Sequence, residues 1–181
     1  WPYTYYDHFK TKRLIAPEYG GNGKKLAPSK YKDPIYGLPA HWAPNDLLFY
    51  SGDMFPNRYK KGAFIAFHGS TNRSPYPQAG YIVGFIPFKD GFPNGELEIF
   101  ADGFAQTDTI KEMKDAKYRP MGLAEGPDGS LYISDSKKGK IWRVLYMSDK
   151  NHFSENNLQA MKLRKYLPHI KKPVEFIDII K

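Results

Sequence analysis

The sequence predicts an all-β fold assembled from blades of a β-propeller, and three observations carry that expectation. Arg119 to Val144 reads as a strand, a Pro-Asp-Gly turn, a strand, a Lys-Lys-Gly turn and a strand. A weaker copy lies upstream: Gly62 to Gly69 aligns with Gly129 to Ser136, and Gly80 to Ile86 with Gly139 to Leu145. The composition agrees, with 16% aromatic residues beside 16 Gly and 15 Pro, the mixture of a β-rich, loop-rich chain. One blade cannot bury both of its faces, so a repeat of this kind implies a radial array.

Taken in order, residues 1–40 are rich in Pro, Gly, Tyr and Lys and show no sustained periodicity. Tyr19-Gly-Gly-Asn-Gly-Lys-Lys25 lacks the spacing of a phosphate loop and reads as a surface loop. Strands are expected at Leu47–Tyr50, Ala63–Phe67, Tyr81–Phe88 and Leu97–Phe100, the last two separated by Lys89-Asp-Gly and Pro93-Asn-Gly turn signals. Thr107–Lys114 reads as a short helix or ordered loop. Strands resume at Met121–Ala124, Leu131–Ser134 and Lys140–Tyr146. Ser154-Glu-Asn-Asn, followed by Leu158, Met161, Leu163 and Tyr166, predicts a capped amphipathic helix ending before Pro168, and the remainder reads as a linker or docking strand. The expected organisation is a partial propeller over 1–148 and a C-terminal helix and linker over 149–181.

A chain of 181 residues supplies about three blades, whereas closed propellers have four to eight. The expectation is therefore a piece of a longer polypeptide, with the remaining blades as partners. Cysteine is absent, which removes disulfides and thiolate metal ligands. No apolar run approaches a membrane span. A formal charge of +8 with pI ≈ 9.4 favours acidic partners or an anionic ligand. The lysines are scattered and no recognition motif accompanies them, so nucleic acid is not an expected partner.

Polar groups gather in four segments that a propeller would turn toward its central channel: Pro39-Ala-His41-Trp-Ala-Pro44, His68-Gly-Ser-Thr-Asn-Arg73, Gly103-Phe104 and Arg119-Pro-Met-Gly122. Arginine in such places suits a flat anionic ligand, because its rigid fork binds carboxylates and stacks on rings. Each candidate also has a structural reading. Arg119 also reads as an inter-blade salt bridge, Arg73 as a solvated loop charge and His41 as a buried, satisfied histidine. His68 stands in register with Asp135, so both are candidates for tying blades together, and Asp128 is a turn residue.

Trp1-Pro-Tyr3, His41-Trp-Ala-Pro44, Phe49-Tyr-Ser-Gly52, His68-Gly-Ser-Thr-Asn-Arg73 and Arg119-Pro-Met-Gly122, occurring in that order, together resemble the sorbosone dehydrogenase group of quinoprotein sugar dehydrogenases. Thr71 departs from that pattern, where an aromatic residue is common. The resemblance covers residues 1 to about 146 and implies a six-bladed propeller using pyrroloquinoline quinone (PQQ) and calcium. It implies cofactor-binding roles for Arg119, Arg73, Asn72, His68 and His41. The general base and calcium ligands are expected upstream of Trp1, with no metal site in this chain. It further implies a sugar or aldehyde substrate, hydride transfer to the quinone, a cytochrome c electron acceptor and a periplasmic or secreted location. No Cys-x-x-Cys-His occurs, so covalent haem is not expected here. The alternative is a non-catalytic propeller binding glycans or proteins through its Tyr-rich rim. A hydrolytic propeller is less well served, since Asp46, Asp53 and Glu125 lack the spacing of a metal-bound carboxylate cluster.

Overall fold

The structure, a computed structural model, describes residues 2–164 apart from His8 and Ser29. The linker expected beyond Arg164 therefore lies outside the described residues. Two compact units divide between Gly37 and Leu38.

In the first unit, strands β1 (Thr4–Asp7) and β2 (Lys12–Ile15) form an antiparallel hairpin. Its turn is held by Asp7, whose carboxylate accepts the Lys10 backbone N–H at 3.0 Å. A later stretch runs along β2, where Ile15 N–H donates to Lys25 O and Ala27 N–H to Arg13 O. Among the described residues of this unit, only Leu14, Ala16 and Thr4 are buried. Hydrophobic periodicity missed the hairpin because little apolar surface alternates along it.

The second unit contains two antiparallel sheets. The first orders β3 (Pro44–Phe49), β4 (Gly62–Phe67), β5 (Ile82–Lys89) and β6 (Phe92–Pro93), with β7 (Glu98–Ala101) also paired to β5. The second orders β8 (Pro120–Glu125), β9 (Leu131–Asp135) and β10 (Ile141–Val144) as a three-stranded meander. Helix α1 (Glu155–Arg164) follows, with Ser154 and Asn157 bonded to one another at its start. Each of the seven strands expected between Leu47 and Tyr146 overlaps an observed one. The Thr107–Lys114 stretch is an irregular loop, bridged to Gln78 at Ile110 and closing in a 3₁₀ turn at Met113–Asp115.

The two sheets share an aromatic core. Phe64 and Phe85 of the first sheet are buried in one cluster with Leu131, Ile133, Trp142 and Val144 of the second, and Phe55, Tyr59, Phe100 and Phe104 complete it. Ring contacts run through it, with Phe64 lying 4.7 Å from Phe100 and 5.1 Å from Phe85 between centroids. Arg58 and Glu98 face each other at its edge with two hydrogen bonds of 2.8 and 2.9 Å. The guanidinium also lies 5.1 to 5.4 Å from the Tyr59, Phe85 and Phe153 rings.

The leading strands of the sheets, β3 and β8, lie beside each other, and each carries a bulge, at Pro44/Asp46 and Pro120/Leu123. A bulge frees backbone N–H groups from the ladder, and these need other acceptors. Asp46 supplies one across the sheets, accepting the Leu123 N–H at 2.7 Å. Glu125 returns the contact by accepting the Ser51 N–H at 2.8 Å. Tyr50 has a similar role. Its hydroxyl donates to Gly129 O at 2.7 Å and accepts from the N–H groups of Met54 and Phe55. The Phe49-Tyr-Ser-Gly52 motif is thus a clasp between the sheets, and Gly52 lies so close to Gly129 that a Cβ would sit 2.8 Å from its Cα.

Candidate functional site

The ends of β4 and β9 and the start of β8 meet at one rim, and the polar residues of the repeat converge there. Pro120 pairs with Asp135, so Arg119 leaves β8 at the level where Asp135 and Ser136 leave β9. Beside them, β4 runs out into His68 and Gly69. Backbone bonds hold this exit, from His68 N–H to Ala43 O at 2.9 Å and from Gly69 N–H to Trp42 O at 3.0 Å.

Arg119 is the hub. Its side chain is 7% exposed, and its Nε and Nη2 donate to the carbonyls of His68 and Gly69 at 3.0 and 2.7 Å. The guanidinium carbon lies 5.6 Å from the centre of the Tyr81 ring, and Tyr81 is pinned by its own hydroxyl bond to Ser70 O. Gly69 is required for this packing. It adopts φ +89°, and a Cβ there would lie 2.6 Å from the Tyr81 ring. Burial draws the Arg119 guanidinium below its ordinary affinity for protons, but arginine remains a cation in any such setting. Among the described residues no carboxylate is ion-paired with Arg119, and Nη1 has no hydrogen-bond partner.

Asp135 is also buried, yet its carboxylate is taken up by backbone, accepting the N–H groups of Arg119 and Lys138 at 2.6 Å each. The role is structural, as its register suggested, but it ties strands of one sheet rather than neighbouring blades. His68 is half-buried and its Nε2 lies 2.6 Å from Ser136 Oγ. Burial first, and the Arg119 charge second, hold the imidazole below its ordinary pKa, with Asp135 opposing them. Neutral imidazole is the form favoured beside a buried guanidinium.

The structure thus brings together Arg119 and His68, and adds Ser136 and Tyr81, which sequence reasoning left out. Ser136 was within reach, because the repeat places it in register with Gly69 on the same rim. His41 precedes the strand partner of this rim, but its side chain is exposed and its φ of 65° marks a tight turn. The bland alternative of a buried histidine does not hold there. Arg73 and Asn72 belong to the loop between β4 and β5. Arg73 Nη1 donates to Pro77 O at 3.0 Å and its cation lies 5.6 Å from the Tyr76 ring. Asn72 is exposed, and its Oδ1 meets the Ser74 N–H at 3.5 Å. Among the described residues no hydrogen bond links Arg73 or Asn72 to Arg119 or His68. One further polar atom stands out nearby in sequence: Trp42 Nε1 is a buried donor with no acceptor among the described residues.

At this rim the Arg119 cation thus stands without a counter-ion among the described residues, while Arg73 keeps to its own loop, which follows Gly69 and Ser70. Among the described residues no group of three or more His, Asp or Glu side chains is placed to hold a metal ion. Nor, among them, is any helix long and apolar enough to cross a membrane.

Comparison with known proteins corrects the family expectation. The family model that matches is TrAA12-like, over residues 10–147. The resemblance to the sorbosone dehydrogenase group is thereby overturned. Its physical basis explains the error. Phe49–Gly52, His68–Gly69 and Arg119 are the clasp and hub that join neighbouring sheets, so these motifs report the joint rather than the particular family. An uncharacterised protein of Borreliella burgdorferi is 35% identical over 146 residues, covering 78% of this chain and 37% of its own length. A solved structure, the calcium structure of Trichoderma reesei carbohydrate-active enzymes family AA12, superposes with a TM-score of 0.52 at 22% identity. That superposition covers 72% of this chain and 31% of the other. The chain thus spans about a third of the length of the relatives that it matches. On the extent of the model match, this chain belongs to the TrAA12-like family.

Proposed function

We propose that this chain forms one wall of the cofactor site in a PQQ-dependent carbohydrate oxidoreductase, a secreted or periplasmic β-propeller whose remaining blades lie in additional polypeptide. The observation that carries the reading is Arg119, a buried guanidinium whose charge no carboxylate of the described chain neutralises. Family membership and the AA12 neighbour support the carbohydrate and redox assignments. The two-sheet repeat, with its paired bulges, supports the propeller.

When bound, the quinone supplies a two-electron acceptor for a sugar or sugar aldehyde. This chain's residues bind and orient. Arg119 Nη1 is free to hold a ligand carboxylate while Nε and Nη2 keep the guanidinium fixed, so little reorganisation accompanies binding. His68, kept neutral and bonded to Ser136, offers a hydrogen-bonding edge without adding charge. Arg73 and Asn72 would contribute from the loop that follows Gly69, and His41 from the turn just before Trp42 and Ala43, whose carbonyls anchor Gly69 and His68. Neither calcium nor the general base is assigned to a residue of this chain.

The test is sugar-dependent reduction of a neutral dye by the full-length polypeptide containing this chain, loaded with PQQ and Ca²⁺. Activity that falls at least tenfold in Arg119→Leu and recovers in part in Arg119→Lys is expected. Quinone-independent activity, or none in the loaded protein, would overturn the reading.

A further inference from the structure

The tip of the β1–β2 hairpin has no part in the oxidoreductase reading, and we propose that it is a contact site for a lipid bilayer with anionic headgroups. Phe9 stands at this tip and is 99% exposed. One exposed ring on a protein surface is ordinary. This one sits on a fastened turn that also carries lysine. Lys10 contacts the Asp7 carboxylate twice, through its backbone N–H at 3.0 Å and its Nζ at 3.2 Å, and the same Nζ donates to Gly23 O at 3.0 Å. Thr11, in the left-handed region at φ 50°, donates its hydroxyl to Lys10 O at 2.8 Å. The turn is therefore closed within itself while the phenyl is left in water.

Positive charge gathers on the same unit. Trp1–Gly37 has seven Lys and Arg against three Asp and Glu, so half of the chain's net +8 lies in about a fifth of its length. Lys12 opens β2 directly after the turn. Lys24 and Lys25 follow Gly23, and Asn22 Oδ1 accepts both of their backbone N–H groups, at 3.0 and 2.9 Å. The Lys10–Gly23 bond ties this second turn to the tip. Lys12, Lys24 and Lys25 are exposed, and among the described residues none of the three is ion-paired. The acids offset little of this. Asp7 is taken up by Lys10, Asp33 faces Arg13 at 3.5 Å, and Glu18 lies in the 3₁₀ turn beyond the far end of β2.

The pairing of an apex ring with lysines behind it decides the occupant. At a bilayer surface the phenyl can enter the acyl boundary while the ammonium groups stay with the lipid phosphates. Leu26, bridged to Leu14 beside β2, adds exposed apolar surface, and the exposed Tyr3 and Tyr19 are amphipathic rings suited to headgroup depth. A soluble anionic polymer would need rings laid flat along a cationic track. Phe9 instead projects from a turn, and Tyr3 meets Tyr19 edge-on at 4.7 Å. Each lysine close to an anionic leaflet contributes about fivefold in affinity, and salt weakens that contribution.

The experiment measures cosedimentation of the full chain with vesicles of phosphatidylcholine alone and of phosphatidylcholine mixed with phosphatidylglycerol, at several salt concentrations. Binding to the anionic vesicles alone, weakening as salt rises, is expected. Phe9→Ser and Lys12→Glu/Lys24→Glu should each lose at least tenfold in affinity, whereas Lys12→Arg/Lys24→Arg should keep it, with thermal melting confirming that every variant folds. Phe9→Trp should bind like wild type and shift its added emission to the blue on the vesicles. No binding to anionic vesicles, or binding unchanged by Phe9→Ser, would overturn the proposal. So would tighter binding to soluble polygalacturonate than to the vesicles, which would assign the lysines to an anionic polymer. The assay needs neither cofactor nor turnover, so its outcome is separate from that of the dye-reduction test.

Discussion

Arg58 and Arg119 are both tucked against aromatic rings, and their surroundings could hardly differ more. Arg58 is neutralised in place by a two-point contact with the buried Glu98 and is sandwiched near Tyr59, Phe85 and Phe153. Arg119 lies over Tyr81 alone and donates to the carbonyls of His68 and Gly69, which carry no charge to offset its own. A paired guanidinium finishes a core. An unpaired one, held by neutral acceptors with an edge to spare, has the capacity to take an anion from elsewhere, which is the role proposed for Arg119. The arginine type and its aromatic neighbour do not separate the two roles; the acceptor does.

The largest expected effect lies in the region around Arg58. Phe64→Ala removes a fully buried ring from the centre of the aromatic cluster and should destabilise by about 3–5 kcal/mol, read from urea or thermal unfolding. Glu98→Ala should follow at about 3 kcal/mol, because it strands the Arg58 charge against apolar rings. A small effect there would mean that Arg58 tolerates isolation as Arg119 does, and would break the contrast. Arg119→Leu should cost less, about 1–3 kcal/mol, since only two carbonyl acceptors lose their donors.

The two regions should also fail at opposite ends of the pH scale. Burial pushes Tyr59 up to about 12 from 10.0, so the folded state holds that proton more tightly than the unfolded chain does. Stability should therefore fall as pH rises from 10 toward 12, and Tyr59→Phe should flatten that limb. His68 is shifted the other way, below 6.5. Its contribution is present above 6.5 and is lost as pH drops below that value, because the unfolded chain then takes up the proton first. His68→Gln should remove this acid-side loss, the smallest of the expected effects. Matching acid limbs in wild type and variant would show that the Arg119 rim is more hydrated than its burial suggests.

Much of the second unit was legible because its strands are apolar runs, continuous in β4 and β5 and alternating in β9 and β10, that are punctuated by Gly-containing turns, as at Gly129 and Gly139. The alignment of His68–Gly69 with Asp135–Ser136 even anticipated that these two strand ends share a rim. What the repeat could not supply was the acceptor chemistry. Nothing in Arg119-Pro-Met-Gly indicates that the guanidinium reaches back to the backbone beyond β4, nor that Asp135 is occupied by the Arg119 and Lys138 N–H groups. The β1–β2 hairpin escaped notice for another reason, since backbone pairing and the Asp7 turn, rather than an apolar stripe, define it. The family assignment failed where motifs that serve the joint between sheets were taken as marks of one family.

The claim most open to direct measurement is that Arg119 is held as a cation for an anionic cofactor. Titration of the full chain with PQQ, followed by its absorbance, should give an affinity at least tenfold weaker for Arg119→Leu than for wild type, with Arg119→Lys between them and Arg58→Leu, among variants that still fold, close to wild type. Affinity unchanged by Arg119→Leu, in a variant whose melting shows it folded, would contradict the account.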